Sequence, residues 1–173
     1  TEKPFNTLAS DGIIEVANSD QFKLRVDSEN FVDHAECKNF RIDFMNIGSV
    51  GDEGGYVSYY LNNDITLDTG DNYYLDFMEQ NKLAKFGNIV SYVNGYFEFT
   101  KNGNYKISIS GLLRSGDYAS EDDFTPTVYV SYSTDGQTWE DLKDVIYLKN
   151  IVESNTTEKP FNTLASDGII EVA

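Results

Sequence analysis

Cysteine and histidine are almost missing from this chain, with one of each in 173 residues. Zinc fingers, clustered thiolate sites and multi-histidine metal centres need several such ligands and are excluded. A disulfide within the chain is impossible, so Cys37 is a free thiol or a link to another molecule. Cations are scarce too: 13 Lys and Arg stand against 29 Asp and Glu, a net charge of −16. The pI is near 4.2. Such a surface repels nucleic-acid backbones and anionic membranes, so neither is an expected partner. No apolar run approaches the ~20 residues that span a bilayer as a helix, and membrane insertion is not expected. Proline occurs three times, at Pro4, Pro126 and Pro160. No initiator Met, charged leader or signal-like stretch opens the chain, which therefore reads as an excised piece of something longer.

Aromatic residues are plentiful. Twelve Tyr, 11 Phe and one Trp make 14% of the chain. Acidic disordered segments are poor in aromatics, so this chain is expected to fold. At ~100–200 residues per domain it holds one domain with an appendage.

The appendage is a repeat. Residues 1–17 read TEKPFNTLASDGIIEVA, and residues 157–173 read the same. Two origins are open: one period of a tandem array running into the next, or a deliberate copy of the N-terminal segment at the C-terminus. The period is a whole domain rather than a solenoid repeat. The division is thus 1–17 as a connector, 18–156 as the domain body, and 157–173 as the connector's duplicate. Within the connector, Ser10, Asp11 and Gly12 form a turn signal before a β-branched run. A sheet lacking one strand exposes unpaired backbone groups and an apolar groove. A neighbour supplying that strand is β-augmentation, as in donor-strand complementation of pili. Ile13, Ile14 and Val16, with Ile169, Ile170 and Val172 in the duplicate, are the expected groove-filling residues. The bland alternative leaves one copy ordered and the other dangling.

The body reads as all-β. Phe22, Leu24 and Val26 alternate with Lys23 and Arg25, and Phe40, Ile42 and Phe44 with Arg41 and Asp43. Further short runs cover 56–61, 65–67 and 73–77. Residues 89–93 meet 96–99 across Asn94 and Gly95, the favoured pair for a tight hairpin. A second reversal at 101–104 would lead into Tyr105, Ile107 and Ile109, giving a three-strand meander. Val128, Val130 and Tyr132 share a face of a later strand, and 145–148 form another. About ten strands make a two-sheet antiparallel sandwich, jelly-roll-like in topology. The helix candidates are 77–86 and the 29–37 loop.

Phe97, Gly103, Tyr105, Ile107 and Ile109 follow the spacing F-x5-G-x-Y-x-[apolar]-x-[apolar]. This resembles the central strand pair of complement-globular-head/tumour-necrosis-factor-like jelly rolls of bacteria and phages, with Ile at 107 and 109 where that family carries aromatics. The resemblance implies a jelly roll used as a trimeric tip or coat protein. The duplicated connector is similar in principle to donor-strand-linked surface fibre subunits. Residues 132–139, YSTDGQTW, resemble a hairpin common in bacterial surface modules, among them discoidin-like and other carbohydrate-binding domains. That likeness makes Tyr132 and Trp139 the candidate glycan-contacting residues.

Calcium is the cofactor the acidic loops suit, although none is required. Glu121, Asp122 and Asp123, with Asp117 nearby, form the densest cluster, and the spacing matches no EF-hand. No nucleophile, metalloprotease or phosphate-loop motif occurs, so an enzyme is not expected. The sequence points to an extracellular module, on a cell or virion surface, that links to copies of itself by strand donation. The alternative is a carbohydrate-binding or adhesive module.

Overall fold

The computed structural model describes residues 6–27, 34–48, 54–61, 63–68, 73–115, 127–142 and 147–149. Among them lie β1 (Asn6–Val16), β2 (Gln21–Asp27), β3 (His34–Asn46), β4 (Gly55–Tyr60), β5 (Ile65–Asp68), β6 (Tyr73–Tyr74) and β7 (Lys82–Phe86). They continue with β8 (Val90–Val93), β9 (Tyr96–Phe99), β10 (Gly103–Ser115), β11 (Thr127–Ser133), β12 (Glu140–Asp141) and β13 (Tyr147–Lys149). No helix occurs among the described residues.

The strands form two antiparallel sheets. The first runs β1-β10-β3-β4-β7, with β5 paired to β3. The second runs β12-β11-β2-β9-β8, with β13 paired to β11 and β6 to β2. The protein is therefore an all-β, two-sheet antiparallel sandwich. Strict alternation explains the layering, because every second side chain points to the same face. Phe22, Leu24 and Val26 from β2, Ile42 and Phe44 from β3, and Val128 and Val130 from β11 are all buried. Phe97 and Phe99 from β9 and Tyr105, Ile107 and Ile109 from β10 complete the middle of the core.

That core is aromatic at its centre. Phe44 lies 5.0 Å from Phe97, 5.6 Å from Phe22 and 5.7 Å from Phe99, centroid to centroid. Rings tilted or set edge to face in this way bring positive edges onto negative faces, beyond the area they bury. Below this cluster Glu79 ties three elements together. Its carboxylate accepts from the Tyr59 hydroxyl at 2.9 Å and the Tyr92 amide at 2.7 Å, and pairs with Lys82.

The expected hairpin at Asn94 and Gly95 is present, with φ of 53° and 85°, and Val93 faces Tyr96 across it. The left-handed backbone at both positions matches the twist of the flanking strands. Two expectations fail. The 77–86 segment is a turn, closed by the Asn81 amide donating to the Met78 carbonyl, followed by β7. Its helical propensity yields to pairing with β4. The reversal at 101–104 does not make a hairpin within one sheet either. It carries the chain across the sandwich, so β9 and β10 lie in opposite sheets and Phe99 meets Tyr105 through the core at 4.8 Å. The 29–37 candidate falls partly outside the described residues, and Cys37 lies within β3.

Candidate functional site

The first connector copy is a strand of the sandwich. β1 runs antiparallel to β10 over its whole length, from Asn6 opposite Leu113 to Val16 opposite Gly103. Leu8 and Val16 enter the core, and Ile14 packs partly buried against it. Ile13 points the other way and is 60% exposed. Adjacent residues of a strand face opposite sides, so Ile13 and Ile14 cannot both fill a groove. The inward set is Leu8, Ile14 and Val16. On the outer face Lys106 reaches Asp11 at 3.7 Å. Full burial of an aliphatic side chain is worth ~1.5–3 kcal/mol, so this seam holds several kcal/mol of apolar contact besides its ladder.

β1 ends the first sheet, and its outer edge has no pairing partner among the described residues. Asp11 and Glu15 put charges along it, one of the ways natural edge strands resist accidental pairing.

The turn after β1 fixes how it is held. Ser19 takes φ of 76°, and the Ala17 amide donates to Asp20 Oδ2 at 2.8 Å. The Asn18 amide donates to Asn102 Oδ1 at 2.6 Å. The Ser19 amide donates to the Phe99 carbonyl, and the Phe99 amide returns a bond to the Asp20 carbonyl. The Tyr132 hydroxyl also donates to Asp20 Oδ2. Asp20 is buried, and its partners come from both β9 and β11. Burial, then the Asp20 carboxylate beside it, push the Tyr132 hydroxyl well above its ordinary pKa.

Tyr132 is thus packed against the core with its hydroxyl on Asp20, on the same face as Val128 and Val130. Trp139 lies elsewhere, half-exposed on the outside of the second sheet. The Lys23 ammonium sits 4.2 Å from its ring centroid and 4.8 Å from that of Tyr74, and Tyr96 flanks the indole at 6.4 Å. Arg25 stands over Tyr129 at 4.5 Å and pairs with Asp141 at 2.7 Å. Cations over aromatic faces are held by the ring quadrupole. The structure does not bring Tyr132 and Trp139 into one site. It gathers Trp139, Lys23, Tyr74 and Tyr96 instead. The alternation of Phe22, Leu24 and Val26 already put Lys23 and Arg25 on the outer face, but their aromatic neighbours come from distant segments.

The 132–139 hairpin is built by Asp135. Its carboxylate accepts from the amides of Thr138 at 2.7 Å and Gln137 at 2.8 Å, from the Thr138 hydroxyl at 3.0 Å and from Ser133 at 3.1 Å. These bonds, the Thr138 and Gln137 amides foremost, hold its pKa down to about 2. Gly136 takes φ of 71° at the turn.

Cys37 is fully buried, and burial pushes its thiol up to about 12. It is a free, inert thiol in the folded protein, not a link between molecules. Asp117, Glu121, Asp122 and Asp123 lie outside the described residues, as do Ile169, Ile170 and Val172. Among the described residues no group of three or more His, Cys, Asp or Glu is placed to hold a metal. No helix is long and apolar enough to cross a membrane among them. No protein-family model, curated protein or solved structure matches this chain.

Proposed function

We propose that this chain is an extracellular structural module that joins copies of itself head to tail by β-strand donation. One observation carries the reading. The segment that pairs with β10 and places Leu8, Ile14 and Val16 inward is the same segment the chain carries again at 157–173. Each molecule therefore has one slot and two sequences that fit it. A second copy from another molecule brings the same rungs in the same register. Repetition of that joint along one direction is heterologous and gives an open fibre.

Substituting Ile170→Asp tests this, since it alters only the duplicate. Light scattering and electron microscopy of the full chain should show concentration-dependent linear assemblies that the variant abolishes. Its melting temperature should stay that of the parent monomer. Parent and variant that both remain monomers at every concentration would refute the reading.

A second reading rests on Trp139. Glycan recognition uses exposed aromatic faces beside polar groups, and Trp139 and Tyr74 flank Lys23 on the outside of the second sheet, with Tyr96 beside Trp139. Binding on a glycan array that Trp139→Ala removes and Ile170→Asp leaves intact would favour it.

A further inference from the structure

We propose that the edge of β10 is an exchangeable receptor, that its incoming occupant is the duplicate segment 162–172 of a second copy of this chain, and that the Asp20 turn is the latch retaining the resident β1. This rests on the strand-donation reading and names its interface and its control point.

The receptor is defined by residues. β10 has β3 on one side from Tyr105 to Ser115 and β1 on the other from Gly103 to Leu113. Removing β1 would leave that second side without a partner and uncover the core beside Leu8, Ile14 and Val16. Residues 162–172 match 6–16 at every position, so Leu164, Ile170 and Val172 would stand where Leu8, Ile14 and Val16 stand. Ladder and inward side chains are then equal for the two occupants and cannot decide between them.

What holds the resident strand besides the ladder follows it directly: the Ala17 amide donates to Asp20, and the Asn18 amide donates to Asn102. A synthetic 17-residue peptide of the repeated segment carries every rung of the ladder but none of Asn18, Ser19 and Asp20. The latch also closes on residues of the second sheet and its β9–β10 connection, namely Phe99, Asn102 and Tyr132. Occupancy of an edge in one sheet is thereby tied to contacts made by the other. Loss of hydrogen bonds to a buried carboxylate weakens retention without touching the receptor edge.

The test uses the full chain and a fluorescent synthetic peptide, TEKPFNTLASDGIIEVA. Anisotropy follows uptake by the parent, by Asp20→Ala and by Asn102→Ala, with a peptide carrying Asp at its fourteenth position as control. The expected result is uptake about tenfold or more faster in Asp20→Ala, which loses hydrogen bonds to a charged group, about twofold to tenfold faster in Asn102→Ala, which loses one neutral bond, and none of the control peptide. Asn102→Ala keeps the test alive if Asp20→Ala fails to fold. Equal rates in parent and variants, or uptake of the control peptide, overturn the latch. Fibres forming while no protein takes up peptide overturn the receptor edge and leave head-to-tail joining to another joint. Latch-dependent uptake by a chain that never polymerises supports the receptor and latch and overturns head-to-tail joining.

Discussion

The ring of Phe40 occupies the space that a side chain on Gly111 would need. A Cβ at Gly111 would lie 2.5 Å from Phe40 Cδ2, well inside van der Waals contact. Gly111 stands opposite Leu8 on β1, where the register between β10 and β3 shifts. Asn39, at φ of 52°, marks the irregularity on β3. The bulge turns Phe40 into the core, and the missing Cβ makes room for it.

Gly111→Ala should therefore destabilise the fold by ~1–3 kcal/mol, the usual range for overpacking. Urea denaturation measures it. Combining it with Phe40→Leu should recover part of the loss, because residues in contact are not additive.

Ile13 and Val16 should respond oppositely to the same change. Ile13→Asp alters an exposed side chain and should move stability by no more than ~0.5 kcal/mol. Val16→Asp buries an unpaired carboxylate and should unfold the protein or detach β1. Leu8→Ala is the milder probe of the seam, at ~2–5 kcal/mol with an edge strand near the lower end. Thermal melts of the three variants check the order.

Glu79 gives an acid limb to stability. Partial burial pushes its carboxyl up, but hydrogen bonds from Lys82, the Tyr92 amide and Tyr59, with the charge of Lys82, hold it below the ordinary 4.5. A carboxyl depressed in the fold binds protons more readily once unfolded. Its contribution is full above pH 4.5 and is lost as pH falls through the lower folded value. Glu79→Gln should lower the melting temperature at neutral pH, and the gap from the parent should close on acidification. Melts across pH 3–7 (~4 units around the ordinary carboxylate range) read this directly.

Cys37 should be silent to thiol reagents. Its thiol is buried in β3, and burial raises its pKa to about 12. At pH ~8, near the ordinary thiol pKa, an exposed cysteine reacts within minutes. Cys37 should react at the rate of unfolding, and reagent absorbance with and without urea would show one thiol released only on denaturation.

The sandwich was legible because its cues are local. Phe22, Leu24 and Val26 need only their own spacing to declare a buried face, and Asn94–Gly95 needs only its own backbone preferences to turn. What local cues do not carry is the partner. Gly103 marks a reversal, but the same reversal serves a hairpin or a crossing between sheets, and here burial of Phe99 against Tyr105 selects the crossing. Residues 77–86 read as a helix candidate because β4, the partner that makes β7 a strand, lies elsewhere in the sequence. Alternation alone shows Ile13 and Ile14 on opposite faces and puts Tyr132 with the buried Val128 and Val130. The pairing of β1 with β10, Asp20's role at its end, and the gathering of Lys23 with Tyr74 and Trp139 join residues far apart in sequence. No short pattern announces them.

The geometry of the β1 seam also sets its mechanical character. Antiparallel ladder bonds lie perpendicular to the strands. A pull along β1 would therefore load its rungs to β10 together, in shear, from Asn6 to Val16. A pull away from the sheet would open them one after another, like a zip. The same strand should hold fast against tension directed along it and yield readily to peeling, with the Asp20 turn as the end from which a peel must start or at which it must stop.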